Sequence, residues 1–221
     1  MDQTVLNNIL GKHSLWLRGE PDGECANLED ADLRYADLRN ANLKGALLKG
    51  ANLRDADLRY ADLGDANLEE AVLRYALLRH ADLRYAHLKG ADLKNADLED
   101  ADLRHAHLEE ASLIDADLRY ADLGETHLKD AFLMQAILQN TKGQKVISAQ
   151  VDTSRVNNTI SYWKDLDLWT TGCFQGSLEE LQEKIAETHK YNTFLRERYV
   201  RAIAFLLNEA AQEDKAPTSD N

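Results

Sequence analysis

From residue 26 to residue 138 the apolar and polar positions keep a five-residue beat. Leu stands at all 23 central positions and Ala two residues earlier at 22 of them, with Thr126 the single departure. A step of five advances an α-helix by about 140° net, which scatters the leucines around the axis instead of aligning them in a stripe. On a flat strand the odd step would send successive units to opposite faces. Ala and Leu, two apart, point the same way, so the other three residues of each unit must carry the chain around a corner. The pattern predicts a coil with Leu and Ala inside and three positions per unit outside.

Units such as Ala26-Asn27-Leu28-Glu29-Asp30, Ala56-Asp57-Leu58-Arg59-Tyr60 and Ala101-Asp102-Leu103-Arg104-His105 follow A-(D/N)-L-x-x. Over about half of its length the chain resembles the pentapeptide repeat proteins. The resemblance implies an all-β repeat solenoid: a right-handed, quadrilateral β-helix with four units per coil and about six coils. Residues 20 apart would then stack about 4.8 Å from each other, in a rod of roughly 28 Å. One such column reads Glu29, Lys49, Glu69, Lys89, Glu109, Lys129. Its alternating sign suits close stacking, because like charges directly opposed destabilise a sheet.

The rest of the chain divides around this block. Residues 1–25 carry Val5, Leu6, Ile9 and Leu10 at helical spacing, then Leu15-Trp16-Leu17 and the turn Glu20-Pro21-Asp22-Gly23. They predict a helical cap over the first coil of the 26–140 repeat. The stretch His13-Ser14-Leu15-Trp16-Leu17-Arg18-Gly19-Glu20 is similar to a leader found in phage and bacterial pentapeptide proteins. Residues 141–211 predict a small α+β region that caps the rod or forms a dimer. Strands are expected at 145–151 and 159–163, a helix from Ser177, capped through Glu180, to His189, and a second helix from Phe194 to about Ala211. The polar tail 212–221 is expected to be disordered.

Charge narrows the function less than the repeat narrows the fold. The chain of 221 residues carries −13, of which −9 falls within 26–140, where 23 acidic residues face 14 basic ones. No apolar run is long enough to span a membrane and no signal-peptide pattern opens the chain, so a cytoplasmic protein is expected. Cys25 and Cys173 flank the repeat and are expected to be reduced thiols.

Several outward positions are candidates for function. Asp62, Asp82, Asp102 and Asp122 share a column, above Asn42, that could imitate a phosphate backbone; alternatively, Asp and Asn at this position satisfy the corner backbone. Arg34, Arg54, Arg74 and Lys94 form one basic column and Arg39, Arg59, Arg79 and Arg119 another, with local pairing to Asp32, Asp37 and Asp57 expected. Direct nucleic-acid binding is opposed by the overall charge. His87, His107 and His127 also share a column, read as a solvated ladder of parallel rings and not as a metal site. Val72 and Leu77 break the polar pattern mid-rod and offer a small sticky patch. Phe132, Met134 and Ile137, with Ile114 a coil earlier, are apolar where polar residues are the rule and call for a cover. Together with Trp163, Trp169, Phe174 and Tyr199 they are candidates for capping or dimer contacts. No catalytic constellation emerges around Ser112, Cys25 or Cys173, although Cys173, His189 and Asp165 could meet. No cofactor is implied.

The expected function is therefore a non-enzymatic rod that binds a protein partner. A sharper version resembles the quinolone-resistance and mycobacterial pentapeptide proteins, which imitate DNA and engage DNA gyrase as dimers. That resemblance implies a topoisomerase or another DNA-handling enzyme as partner, which the rod would inhibit or protect. This chain departs from those proteins in its uniform Leu centres, its missing loop insertions, its basic minority and its C-terminal region. A structural scaffold without DNA mimicry is the alternative.

Overall fold

The computed structural model describes residues 1–144, 146–151, 159–171 and 174–213. They fall into two compact units, 1–144 and 145–221. In the first, the position before each central Leu pairs in parallel with the residue 20 further on, from Asn27↔Leu47 to Asp122↔Lys142. Each coil thus holds four five-residue sides. Every central Leu from Leu28 to Leu133 is buried, and the alanines are buried with them from Ala46 to Ala131.

The backbone accounting explains why five residues close a side. In the unit Ala51-Asn52-Leu53-Arg54-Asp55, the N–H of Asn52 donates to Ala31 O one coil below, and those of Leu53 and Asp55 donate to Val72 O and Arg74 O one coil above. Ala56 N–H returns to Leu53 O, closing a β-turn at the corner. The remaining N–H, on Arg54, donates 3.2 Å to Asn52 Oδ1. Every N–H of the unit is satisfied, the condition that enclosed backbone must meet. The Asp or Asn before Leu is therefore a piece of the corner, as the alternative reading of the Asp column held.

The last residue of each side takes a positive φ, between +52° and +67° across the repeat. Gly45, Gly50 and Gly90 meet this demand without strain, and Asn and Asp tolerate it. Tyr35, Tyr60, Tyr75, Tyr85 and Tyr120 occupy the same left-handed conformation, which bulky side chains avoid. Thr126, the one break in the alanine series, is buried and donates from Oγ1 to Leu103 O at 2.8 Å. Its hydroxyl is thus accommodated by a partner one coil below.

Helix α1 (Gln3–Leu17) starts at Asp2, whose carboxylate accepts the Thr4 N–H. Leu6 and His13 are buried, whereas Val5, expected on the inner face, is half exposed. The helix is fixed to the first coil by His13 Nδ1, which accepts the Ala26 N–H at 3.1 Å, and by Gln3, which exchanges hydrogen bonds with the Asp37 backbone.

The second unit is an antiparallel meander, β1 (Val146–Gln150), β2 (Thr159–Trp163), β3 (Leu168–Thr171) and β4 (Phe174–Gly176), followed by α2 (Leu178–Thr188) and α3 (Thr193–Glu213). The expected Ser177–Glu180 capping box is present at the start of α2. Its core joins Ile160 and Trp169 from the sheet to Leu181 and Ile185 of α2 and Tyr199, Ile203 and Leu206 of α3. Phe194 and Leu207 of α3 are exposed. The sequence pattern does not predict strands β3 and β4, since four- and three-residue strands give too few alternations.

Candidate functional site

The outward faces of the repeat are where a partner or ligand would meet it. On the face of the acidic column, each carboxylate engages its own corner first: Asp62 and Asp122 accept the N–H groups of Gly64 and Gly124, both at 3.0 Å. Asp82 takes Arg84 in a two-toothed contact at 2.5 and 2.9 Å, and Asp102 takes Arg104 at 2.5 and 2.8 Å. The arginines also lean toward the next rung, Arg84 to Asp102 at 3.6 Å and Arg104 to Asp122 at 3.9 Å. Burial acts to raise the Asp82 and Asp102 carboxyls, but the guanidiniums and corner N–H groups outweigh it and hold both below the usual range. The column is a ladder of alternating charges, not a bare acidic stripe.

The same pairing recurs at four positions of the basic columns, Arg34 on Asp32, Arg39 on Asp37, Arg59 on Asp57 and Arg119 on Asp117, while Arg54 turns to Asp55 and Arg79 to Glu99. The Arg34 and Arg39 guanidiniums hold Asp32 and Asp37 down to about 2. Asp97, Glu99 and Asp117 converge closely enough to hold a cation. Arg79 and Arg119, each 3.0 Å from Glu99, already neutralise them. In the Glu/Lys column Lys49 meets Glu69 at 3.0 Å, while Lys89 turns to Glu110 at 3.3 Å.

The histidine column departs from its expected form. His87 and His107 stack with their planes 17° apart, but His127 stands at 90° to His107. That rotation brings the two Nδ1 atoms to 3.2 Å, with Glu109 Oε1 beside both. Ring orientation depends on side-chain torsions that no repeat register specifies.

Val72 and Leu77 stand on adjacent sides of one coil, Val72 between the rungs of Asn52 and Asp92 and Leu77 between those of Asp57 and Asp97. Val72 is half-buried and Leu77 is 38% exposed. Phe132 and Ile137 are about half exposed and Met134 is half-buried. Of the C-terminal candidates for capping or dimer contacts, Trp163, Trp169 and Tyr199 are buried, Trp169 and Tyr199 in their own unit's core, and Phe174 packs against that core. Among the described residues of that unit, Tyr191, Phe194 and Phe205 are the exposed aromatic ones.

Among the nucleophile candidates, Ser112 Oγ is enclosed with no hydrogen-bond partner among the described residues. Cys25 Sγ faces Gly45 O at 3.5 Å, and burial pushes its thiol pKa up, away from the reactive thiolate. Cys173 lies outside the described residues, and His189 is stacked on Tyr199.

A 20-residue parallel coil with Leu and Ala inside is the architecture of a repeat-built β-helix. Residues 26–64, 61–100 and 96–140 match the family of pentapeptide repeats (8 copies), and the chain belongs to that family, whose fold is a right-handed β-helix. Among solved structures it is similar to the pentapeptide repeat protein Rfr23 of the cyanobacterium Cyanothece 51142, at 24% identity and a TM-score of 0.44, over 62% of this chain and 98% of that one. It is similar to HetL of Nostoc sp. strain PCC 7120, involved in heterocyst differentiation regulation, at 37% identity and a TM-score of 0.21, over 53% of this chain and 61% of that one. It is similar to QnrB1, a plasmid-mediated fluoroquinolone resistance protein, at 19% identity and a TM-score of 0.24, over 52% of this chain and 64% of that one. No curated protein matches the chain. Among the described residues no helix is long and apolar enough to cross a membrane.

Proposed function

We propose that this chain is a non-catalytic interaction rod of about six coils that presents its corner side chains to a protein partner in the cytoplasm. The observation that carries the reading is the set of five corner tyrosines, 42–74% exposed and held at positive φ. Glycine or asparagine would serve the backbone better there, by about 1 kcal/mol or more per site. Strain kept at an exposed aromatic residue points to use, and Tyr is enriched where proteins bind one another.

Imitation of DNA is the weaker version, because Arg84 and Arg104 pair with the central carboxylates of the acidic column. A scaffold role needs no bare charge and accommodates the pairing. Self-association, where it occurs, would use the exposed Phe132 and Ile137 or Tyr191, Phe194 and Phe205.

The test compares two variants as baits in the cell of origin. One carries Gly at Tyr35, Tyr60, Tyr75, Tyr85 and Tyr120; the other carries Asn at Asp62, Asp82, Asp102 and Asp122. The tyrosine variant is expected to lose the captured partner and the aspartate variant to keep it. The reverse outcome, with inhibition of gyrase supercoiling that weakens steeply with salt, would replace this reading by DNA mimicry.

A further inference from the structure

On the face that carries the histidine column, three potential ligand atoms converge on one point. His107 Nδ1 and His127 Nδ1 are 3.2 Å apart, and Glu109 Oε1 lies 3.5 Å from the first and 3.4 Å from the second. Around a tetrahedral zinc with bonds of 2.0–2.1 Å, neighbouring ligand atoms are separated by about 3.3–3.4 Å. The three separations match the edges of one face of such a tetrahedron. Simple stacking would produce a different pattern: His87 and His107 lie nearly parallel, their ring centroids 5.0 Å apart. His127 instead stands perpendicular to His107 and turns its Nδ1 inward.

Among the described residues, the surroundings leave Glu109 without a competing lysine. Lys89, the base below Glu109 in the column, is taken by Glu110 at 3.3 Å. Glu109 is left to the two imidazoles. The three side chains are 28–55% exposed, so the fourth position opens to water.

We propose that His107, Glu109 and His127 form a surface site for a divalent transition-metal ion of the zinc class, with two imidazole nitrogens and one carboxylate oxygen as ligands. Imidazole with carboxylate suits zinc, and nickel or copper by the same donor set, while calcium and magnesium want oxygen alone. The site does not rest on the partner-binding reading and stands if that reading falls.

Calorimetric titration of the full chain with zinc chloride tests it. A zinc-binding event is expected that weakens roughly 10-fold or more in each of His107→Ala, His127→Ala and Glu109→Gln, as loss of one ligand in three requires. His87→Ala, which removes a stacked neighbour and no ligand, is expected to leave the affinity within about twofold. Circular dichroism would verify that the surface variants keep the coil. Cobalt(II) absorption in the unmodified chain, quenched by added zinc, gives a readout free of mutation. No heat at about 100 µM zinc, the same heat in all four variants, or equal loss in His87→Ala and His127→Ala would each overturn the three-atom site.

Discussion

The repeat body and the C-terminal unit are both held by β-pairing, yet they reach a buried core in opposite ways. In the repeat each side contributes one pairing position, and the partner is always 20 residues away. In the C-terminal unit consecutive strands pair through short connections, and the core is drawn from sheet and helices together. The first design makes every coil a copy of its neighbours, so stability is a sum of local terms. The second concentrates it in a few large side chains such as Trp169. Regularity lets the repeat lose a piece locally; the small mixed core has no spare piece.

That contrast can be broken at its strongest point by paired truncations. Trp169→Ala is expected to cost about 3–5 kcal/mol and to expose the amides of all four strands together, while Leu83→Ala costs about 3 kcal/mol. The exposure from Leu83→Ala should stay within the adjoining coils. Hydrogen exchange followed by mass spectrometry resolves the two patterns, and a global loss from Leu83→Ala would mean the repeat melts as one body.

A smaller effect tests whether corner carboxylates serve the backbone or a partner. Asp102→Asn keeps an oxygen for the Arg104 N–H and is expected to change the melting temperature little. Asp102→Ala removes the acceptor and should cost about 1 kcal/mol. Equal losses in both variants would shift the weight to charge.

The smallest expected effect concerns the junction of α1 with the first coil. Burial pushes the His13 pKa below its ordinary 6.5, so the folded state prefers the neutral ring that accepts the Ala26 N–H. The unfolded chain binds more protons than the folded one below pH 6.5, hence this contribution is full above that value and fades as the pH falls through the folded pKa. Exchange at Ala26 should rise on acidification from neutral pH, against the intrinsic trend, and a His13→Gln variant should flatten the response.

Much of this was legible in the sequence for a physical reason: a strict period converts directly into geometry. The Leu and Ala positions and the pairing of Arg34, Arg39 and Arg59 with the Asp two residues before each follow from counting, and the 20-residue pairing follows from the resemblance those units carry. What the count leaves out is torsion. Nothing in the spacing says that Tyr60 sits at positive φ, although Gly, Asn and Asp sharing that position in other units is a signal for it. Nor does spacing fix the plane of the His127 ring. The burial of Trp163 and Trp169 was illegible because strands of three to five residues carry too little alternation to distinguish an inner face from an outer one.

The division of each coil into four identical sides has a consequence for how such a chain can change. Deleting one five-residue unit, or duplicating one, leaves the Leu and Ala lattice intact. Every later column is nevertheless shifted by a quarter turn onto the next face. A single recombination between repeats can therefore bring the tyrosine corners against new neighbours, or separate His127 from His107 and Glu109, without one point substitution. The interior is indifferent to unit number, while the surface is addressed by it.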